Sequence, residues 1–244
     1  MIFFIIVSSL NFTHFISIPF FCRIFAFCIG IFLENMQVIP IEAGPVATIG
    51  YLVIDKKSKK GAIIDAPLES TTYFDSLITE NKIKVEAIIL THTHWDHVAD
   101  LAKLKRLTGA KVYVHQQDEH RLTEPMNHTV IPLPFNIESV EDYKLITHDD
   151  EIKIGNLSFK VVHTPGHTEG GICLIEYHHK IIFAGDTIFN ESIGRVDLPG
   201  GSMETLLNSI KTVLMNLPDN FKIFSGHGPA TTIGWERSRN PFLN

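Results

Sequence analysis

Three cysteines in 244 residues, Cys22, Cys28 and Cys173, are too few for a disulfide framework. That removes the small stapled scaffolds of secreted proteins from consideration and fits a reducing compartment. Positive charge is also short, with 21 Lys and Arg against 27 Asp and Glu for a formal net charge of -6. No basic stripe of the kind that tracks a phosphate backbone is present, which excludes nucleic acid as an expected partner. The dense cationic cluster, Lys56-Lys57-Ser58-Lys59-Lys60, lies between two strand-like runs and reads as a solvated hairpin turn.

The most uneven shortage is of charge in the leader. From Met1 to Cys22 there is no Lys, Arg, Asp or Glu, and apolar residues resume after Arg23 as far as Leu33. The segment is long enough to span a bilayer, yet it lacks the basic start of a secretory signal. Residues 1–35 therefore read in one of two ways. They are a membrane anchor, with Arg23 and Lys56 to Lys60 keeping the domain on the cytoplasmic side and residues 1–33 giving membrane association. Alternatively, translation begins at Met36, residues 1–35 are untranslated upstream sequence, and Gln37-Val38-Ile39-Pro40-Ile41 is the first strand of a cytoplasmic protein.

Residues 36–244 carry the pattern of one α/β domain. Val38 to Ile41, Ile49 to Ile54 and Ala62 to Asp65 read as a β-meander turning at Gly44-Pro45 and at the lysine cluster. Ser70 is placed as the N-cap of a helix bearing Phe74, Leu77 and Ile78. A second helix carries Leu101, Leu104 and Leu107 and closes at Gly109 before the strand Val112 to Val114. His115 to Asp150 has no sustained period and reads as a loop with short helical turns, a candidate wall for a substrate site. Gly155-Asn156 marks a tight hairpin, and a second hairpin joins Ile172–Glu176 to Lys180–Ala184, with His178 and His179 exposed in its turn. Ser202 caps a long helix running to Leu217, Lys222 to Phe224 is a last strand, and residues 233–239 form a short helix in which Trp235 is expected to pack. Strands then helices, twice over, predict two β-α halves facing each other as a four-layer αββα sandwich.

What the chain has in quantity is histidine, 13 in all, and the distribution is not even. Thr91-His92-Thr93-His94-Trp95-Asp96-His97 follows the buried run Ala87-Ile88-Ile89-Leu90, so an HxHxDH cluster sits at a strand end. Imidazole and carboxylate suit a borderline divalent ion, and a tight loop can turn alternate side chains toward one point. Three further positions repeat the form, a ligand type beside glycine at a strand end: His167 in Pro165-Gly166-His167, Asp186 in Gly185-Asp186-Thr187, and His227 in Gly226-His227-Gly228. Seven donors serve two ions. His92, His94 and His167 would take one, Asp96, His97 and His227 the other, with Asp186 between them. Asp65 is a candidate to hold a ligand imidazole from outside. Trp95 is placed to wall the cleft, while Arg195, Arg237 and Arg239 read as structural ion pairs. Of the remaining histidines, His163 alone stands near a ligand loop.

These motifs, in this order, resemble the metallo-β-lactamase superfamily over about residues 36–244. Ser192 to Gly201 and the tail Gly226-His227-Gly228-Pro229 with Asn240-Pro241-Phe242-Leu243 are similar to its glyoxalase II-like hydrolases. The resemblance implies the αββα fold, two divalent ions with zinc foremost and iron or manganese as alternatives, and a small-molecule thioester such as S-lactoylglutathione as substrate. A metal-bridging hydroxide would attack the carbonyl, with Asp96 as the catalytic carboxylate that orients it. Asp186 stands where the commonest class of lactamase places a cysteine, which argues against that activity. Val98-Ala99-Asp100 replaces the usual glycines, and the resemblance does not extend to the helical glutathione-binding domain of full-length relatives. The alternatives are an iron-dependent persulfide dioxygenase of the same superfamily or a non-catalytic metal-binding domain.

Sequencing the amino terminus of the native protein separates the two readings of the leader, since a product beginning at Met1 or Ile2 excludes the late start.

Overall fold

The computed structural model describes residues 31–243. The readings of residues 1–30 as anchor or upstream segment lie outside these residues. Among the described residues, no helix is long and apolar enough to cross a membrane.

Two sheets face each other. The first is ordered β1 (Ile31–Phe32), β2 (Met36–Ala43), β3 (Thr48–Asp55), β4 (Lys60–Ile64), β5 (Lys84–Ile89), β6 (Lys111–His115) and β7 (Lys144–Ile146). Its meander is antiparallel as far as β4, and β4 to β7 run parallel. The edge strand β1 lies upstream of Met36, so the sheet takes in residues that composition assigned to the leader. The second sheet is built on β8 (Glu151–Ile154), β9 (Leu157–His163), β10 (Ile172–Glu176) and β11 (Ile181–Gly185). A small hairpin, β12 (Ile188–Phe189) and β13 (Ser192–Ile193), follows, and β14 (Lys222–Ser225) and β15 (Thr231–Thr232) complete the sheet beyond β11.

Strand periodicity sorts the core into three layers. In β3 all eight residues are buried. Ile49, Tyr51 and Val53 point between the sheets, whereas Leu52 and Ile54 point to the outer face. In β10 and β11, Ile172, Leu174, Ile181 and Phe183 meet them from the other side, while Cys173, Ile175, Ile182 and Ala184 face outward. Each strand is apolar on both faces because helices cover both sheets. α1 (Thr71–Asn81) and α3 (Leu101–Thr108) pack on the first, and α5 (Met203–Thr212) and α6 (Ile233–Arg239) on the second. Between them lie two single-turn helices, α2 (Trp95–Val98) and α4 (His120–Thr123). The architecture is the expected αββα sandwich.

Several local expectations change. Ser70 precedes α1 but its hydroxyl makes no cap bond. The cap comes from Asp100, which accepts from the Thr71 backbone N–H at 3.1 Å and from its hydroxyl at 2.8 Å. This gives the substitution at Val98-Ala99-Asp100 a role, because a glycine there could not close α1 from across the chain. Ser202 does cap α5, accepting from the Thr205 backbone N–H at 3.3 Å, but the helix ends at Thr212 and tightens to a 3₁₀ turn at Leu214–Asn216. The irregular stretch after β6 contains a third parallel partner, β7, too short to show a period. His179 is not exposed with His178: its ring folds back to donate to Glu176 at 2.9 Å. Trp235 is exposed rather than packed; its indole N–H reaches Glu191 at 3.0 Å and Arg239 lies over the ring.

The two sheets are clasped at one end by Asp55. Its buried carboxylate accepts from Lys57, Ser58 and both nitrogens of Asn156, joining the lysine turn to the Gly155-Asn156 hairpin. Burial would raise its pKa, but these bonds outweigh burial and lower it from 3.8 to about 2. A depressed carboxylate contributes stability above its unfolded value, here about 2 kcal/mol, which is lost as pH falls through the folded value. Asp55→Ala should therefore cost about 2 kcal/mol in urea unfolding at pH 7, and the difference from wild type should shrink between pH 4 and pH 2.

Candidate metal centre

The seven donors predicted from the sequence converge where the carboxyl ends of β4, β5, β9, β11 and β14 meet. β5 ends at Ile89, and the chain then passes through Leu90 and Thr91 to His92. His94 ends the extended stretch, and α2 carries Asp96 and His97 on its single turn. The Thr91 carbonyl accepts from the Ile172 N–H at 2.9 Å, which ties this loop to the opposite sheet. His167 follows β9, Asp186 follows β11 and His227 follows β14.

Three groups of donor atoms, each within 4.8 Å of one another, result: His92, His94 and His167; Asp96, His97 and His227; and His92, His97 and Asp186. The first two are the sets expected for the two ions, and Asp186 stands between them. Its carboxylate lies 3.4 Å from His97 Nε2, 3.5 Å from His167 Nε2 and 3.5 Å from His227 Nε2.

The imidazoles are held from outside. His97 Nδ1 donates to Asp65 at 2.9 Å, His167 Nδ1 to the Arg195 carbonyl at 2.7 Å, and His227 Nδ1 to the Val46 carbonyl at 3.1 Å. The Thr91 hydroxyl spends its proton on Asp65 and so accepts from His92 Nδ1 at 3.2 Å. A carbonyl or carboxylate can only accept, so in the neutral ring the proton sits on Nδ1 and Nε2 presents a lone pair inward. His94 enters through Nδ1, 2.8 Å from His167 Nε2, which is itself 3.2 Å from His92 Nε2. Lone pairs at such separations repel unless a cation lies between them. Buried His97 Nε2 and Asp186 Oδ1 have no hydrogen-bond partner, the mark of groups shaped for a metal.

Charge follows the same division. Burial, then the neighbouring imidazoles, holds His92 well below its ordinary pKa, and burial and His167 bring His94 down to about 3, so both are lone-pair donors at neutral pH. Around His97 burial is outweighed by Asp96, Asp186 and Asp65, which raise its pKa, and His227 is raised by the Asp96 hydrogen bond and by Asp186. Burial would raise both carboxylates, but His97 holds Asp96 and Asp186 below the usual range. The carboxylate half of the centre thus demands positive charge, which a metal ion supplies while releasing the imidazole protons.

Asp65 behaves as expected, buried and in a left-handed conformation just past β4. It accepts from the Thr91 N–H, the Thr91 hydroxyl and His97. His163 does not join the donors; its ring stacks on His115 and donates to the Glu169 carbonyl. Two contributors escaped the sequence. Thr48, at the start of β3, donates to Asp96 at 2.7 Å. Asp118, fully buried, accepts from the N–H of Thr93, the N–H of Gly170 and the hydroxyl of Thr168, and so fastens the HxHxDH loop to the His167 loop. Neither lies in a motif, and only the fold brings them near.

A cavity of about 430 Å³ opens over the donors. Trp95 and Val46 line it, as expected for Trp95, and so do His120, Arg121 and residues 127–131 of the irregular stretch.

A model of the metallo-beta-lactamase superfamily matches residues 46–227. The hydroxyacylglutathione hydrolase GloC of Haemophilus influenzae is 36% identical over 213 residues, 86% of this chain and 98% of its own length. Among solved structures, BLEG-1 B3 metallo-beta-lactamase aligns with a TM-score of 0.79 at 32% identity, covering 84% of this chain and 99% of that one. TTHA1623 in a di-iron-bound form aligns at 0.72 with 31% identity, covering 84% and 100%.

Gly226 shows how tightly the donors are set, since a Cβ there would lie 2.2 Å from Asp186 Oδ1 and 2.6 Å from His97 Cε1. Gly226→Ala should push these two donors apart. The purified variant is expected to hold fewer metal ions per chain than wild type while keeping its far-ultraviolet circular dichroism, both measured directly.

Proposed function

The chain belongs to the metallo-beta-lactamase superfamily, a family of metal-dependent hydrolases, and from that premise we propose that it hydrolyses small-molecule thioesters. The observation that carries the proposal is the donor set: five imidazoles and two carboxylates facing inward at the floor of a cavity, with outer nitrogens pinned by acceptors. The reaction class is supported by the likeness to the hydroxyacylglutathione hydrolase GloC over nearly its whole length.

His92, His94 and His167 would hold one ion and Asp96, His97 and His227 the other, with Asp186 shared. Zinc is the proposed metal. Such ions supply a water acidic enough to attack near neutral pH and a Lewis acid for the carbonyl oxygen. The rest falls to the chain. Thr48 fixes the Asp96 carboxylate by its 2.7 Å bond, so that Asp96 orients the attacking water and accepts its hydrogen bond. Asp65 and the Arg195 and Val46 carbonyls keep the imidazoles in one tautomer. Trp95 and Val46 give the cavity apolar surface beside the donors.

A second reading draws on the group His92, His97 and Asp186, which has the two-histidine, one-carboxylate composition of non-haem iron oxygenases. An iron-dependent persulfide dioxygenase would use it, and the di-iron form of TTHA1623 shows iron in a similar protein. The likeness to a B3 metallo-beta-lactamase adds β-lactams to the substrates worth assaying, although no cysteine stands among the donors.

Metal content and turnover, measured together on acyl-glutathione, acyl-coenzyme A, lactone and β-lactam substrates, test the proposal. Two zinc ions per chain with thioester cleavage is the expected result; one iron with oxygen uptake on glutathione persulfide would replace it with the oxygenase. Asp186→Ala should remove most turnover, about a hundredfold or more, and lower the metal content. Unchanged activity would refute the bridging role.

A further inference from the structure

This inference rests on the thioesterase reading and concerns the thiol half of the substrate. Two guanidinium groups line the cavity beyond the donors, and each is already engaged. Arg121 is buried and donates to Asp118 at 2.9 Å and to Glu169 at 2.5 Å. Arg195 is exposed and grips Asp197 with two bonds, of 2.8 and 2.7 Å. Two cations are thus set against three carboxylates, one of which, Glu169, itself lines the cavity. The other polar groups on that wall include Asn127, Thr129 and His128; Asn127 already donates one amide N–H to Glu124 and Thr129 its hydroxyl proton to the Met126 carbonyl, so what they present is the Asn127 oxygen and second N–H and the Thr129 oxygen lone pairs. Burial, then His120 and Arg121, lowers the pKa of His128, which leaves its ring a neutral hydrogen-bonding group at pH 7.

We propose that this wall is a neutral hydrogen-bonding subsite that takes the amide backbone of a thiol such as glutathione and gains nothing from its carboxylates. The argument is one of exchange. A substrate carboxylate reaching Arg195 displaces Asp197 and replaces one exposed pair with another, with no net Coulombic gain. Approach to Arg121 meets the half-exposed Glu169 carboxylate, whose like charge opposes an incoming one, while the buried Asp118 already holds the other side of the guanidinium. An amide asks only for donors and acceptors of the kind Asn127, Thr129 and His128 offer, at no electrostatic cost.

The full chain, loaded with metal, is assayed with S-lactoylglutathione and with its diethyl ester, the same skeleton stripped of both carboxylate charges. The diester should have a kcat/KM at least equal to that of the acid, and the value for the acid should hold as salt rises from about 20 to about 500 mM. Asp197→Asn frees Arg195 without touching the donors; the ratio of acid to diester should then rise about two- to fivefold and become salt-sensitive. A wild-type preference for the acid of about tenfold or more, or a ratio unmoved by Asp197→Asn, overturns the inference and leaves the thioesterase reading standing. Cleavage of neither compound ends both.

Discussion

Inward-facing lone pairs with nothing protein-made to absorb them are the constraint on which this structure turns. Five imidazoles and two carboxylates brought within a few ångströms would repel one another or pull in protons, and burial makes either outcome costly. The chain accepts that cost and holds the groups in place by means that lie outside the cluster. Asp65, Thr91 and the Arg195 and Val46 carbonyls each take an outer imidazole proton. Each such bond fixes a ring orientation and a tautomer, which an isolated histidine would choose freely.

The fold makes those supports available because the donors come from both sheets. β4 and β5 deliver Asp65 and the HxHxDH loop, and β9, β11 and β14 deliver the other three ligands. A centre built across a sandwich is only as stiff as the contact between its halves. The Ile172 to Thr91 backbone bond and the bonds gathered by Asp118 supply that contact on one side. The backbone bond from Ile49 to the Gly226 carbonyl supplies it on the other, and Gly226 is itself tied within the second sheet to the Gly185 carbonyl. At Gly185, with φ of 48°, a Cβ would lie 2.4 Å from the Thr91 hydroxyl, so the second sheet closes against the first only because that position is glycine.

How much of this could be read from sequence depends on whether the information is local. The seven donors were legible because each sits in a short motif with glycine or threonine beside it, and the layer order followed from alternation such as that of Ile49 to Ile54. Ser70 shows the limit: it has the residue type of an N-cap, yet Asp100 does the capping from 29 positions away, and no window of sequence contains both. Thr48 and Asp118 are invisible for the same reason. β7 pairs with β6 over three residues, fewer than a period needs to show. Trp235 misled in the other direction, since a tryptophan in a short amphipathic helix usually packs, and here Glu191 and Arg239 hold it at the surface.

The chemistry of the centre is set as much by a residue kept out of it. Cys173 is the free thiol among the described residues, and it sits on the outer face of β10 against Thr164 and Thr187, where burial pushes its pKa to about 11. A protonated thiol facing away is no ligand, so every donor is nitrogen or oxygen. Without a soft thiolate the site has little means of choosing zinc over iron by ligand type, and affinity follows metal supply and geometry instead. Hydrolysis needs an ion that stays in one oxidation state, whereas oxygenase chemistry needs one that does not. Ligand type thus leaves the metal open, and substrate access to the centre is set by the cavity lining beyond the donors, which includes His120, Arg121, residues 127–131, Arg195, Leu198 and Pro199.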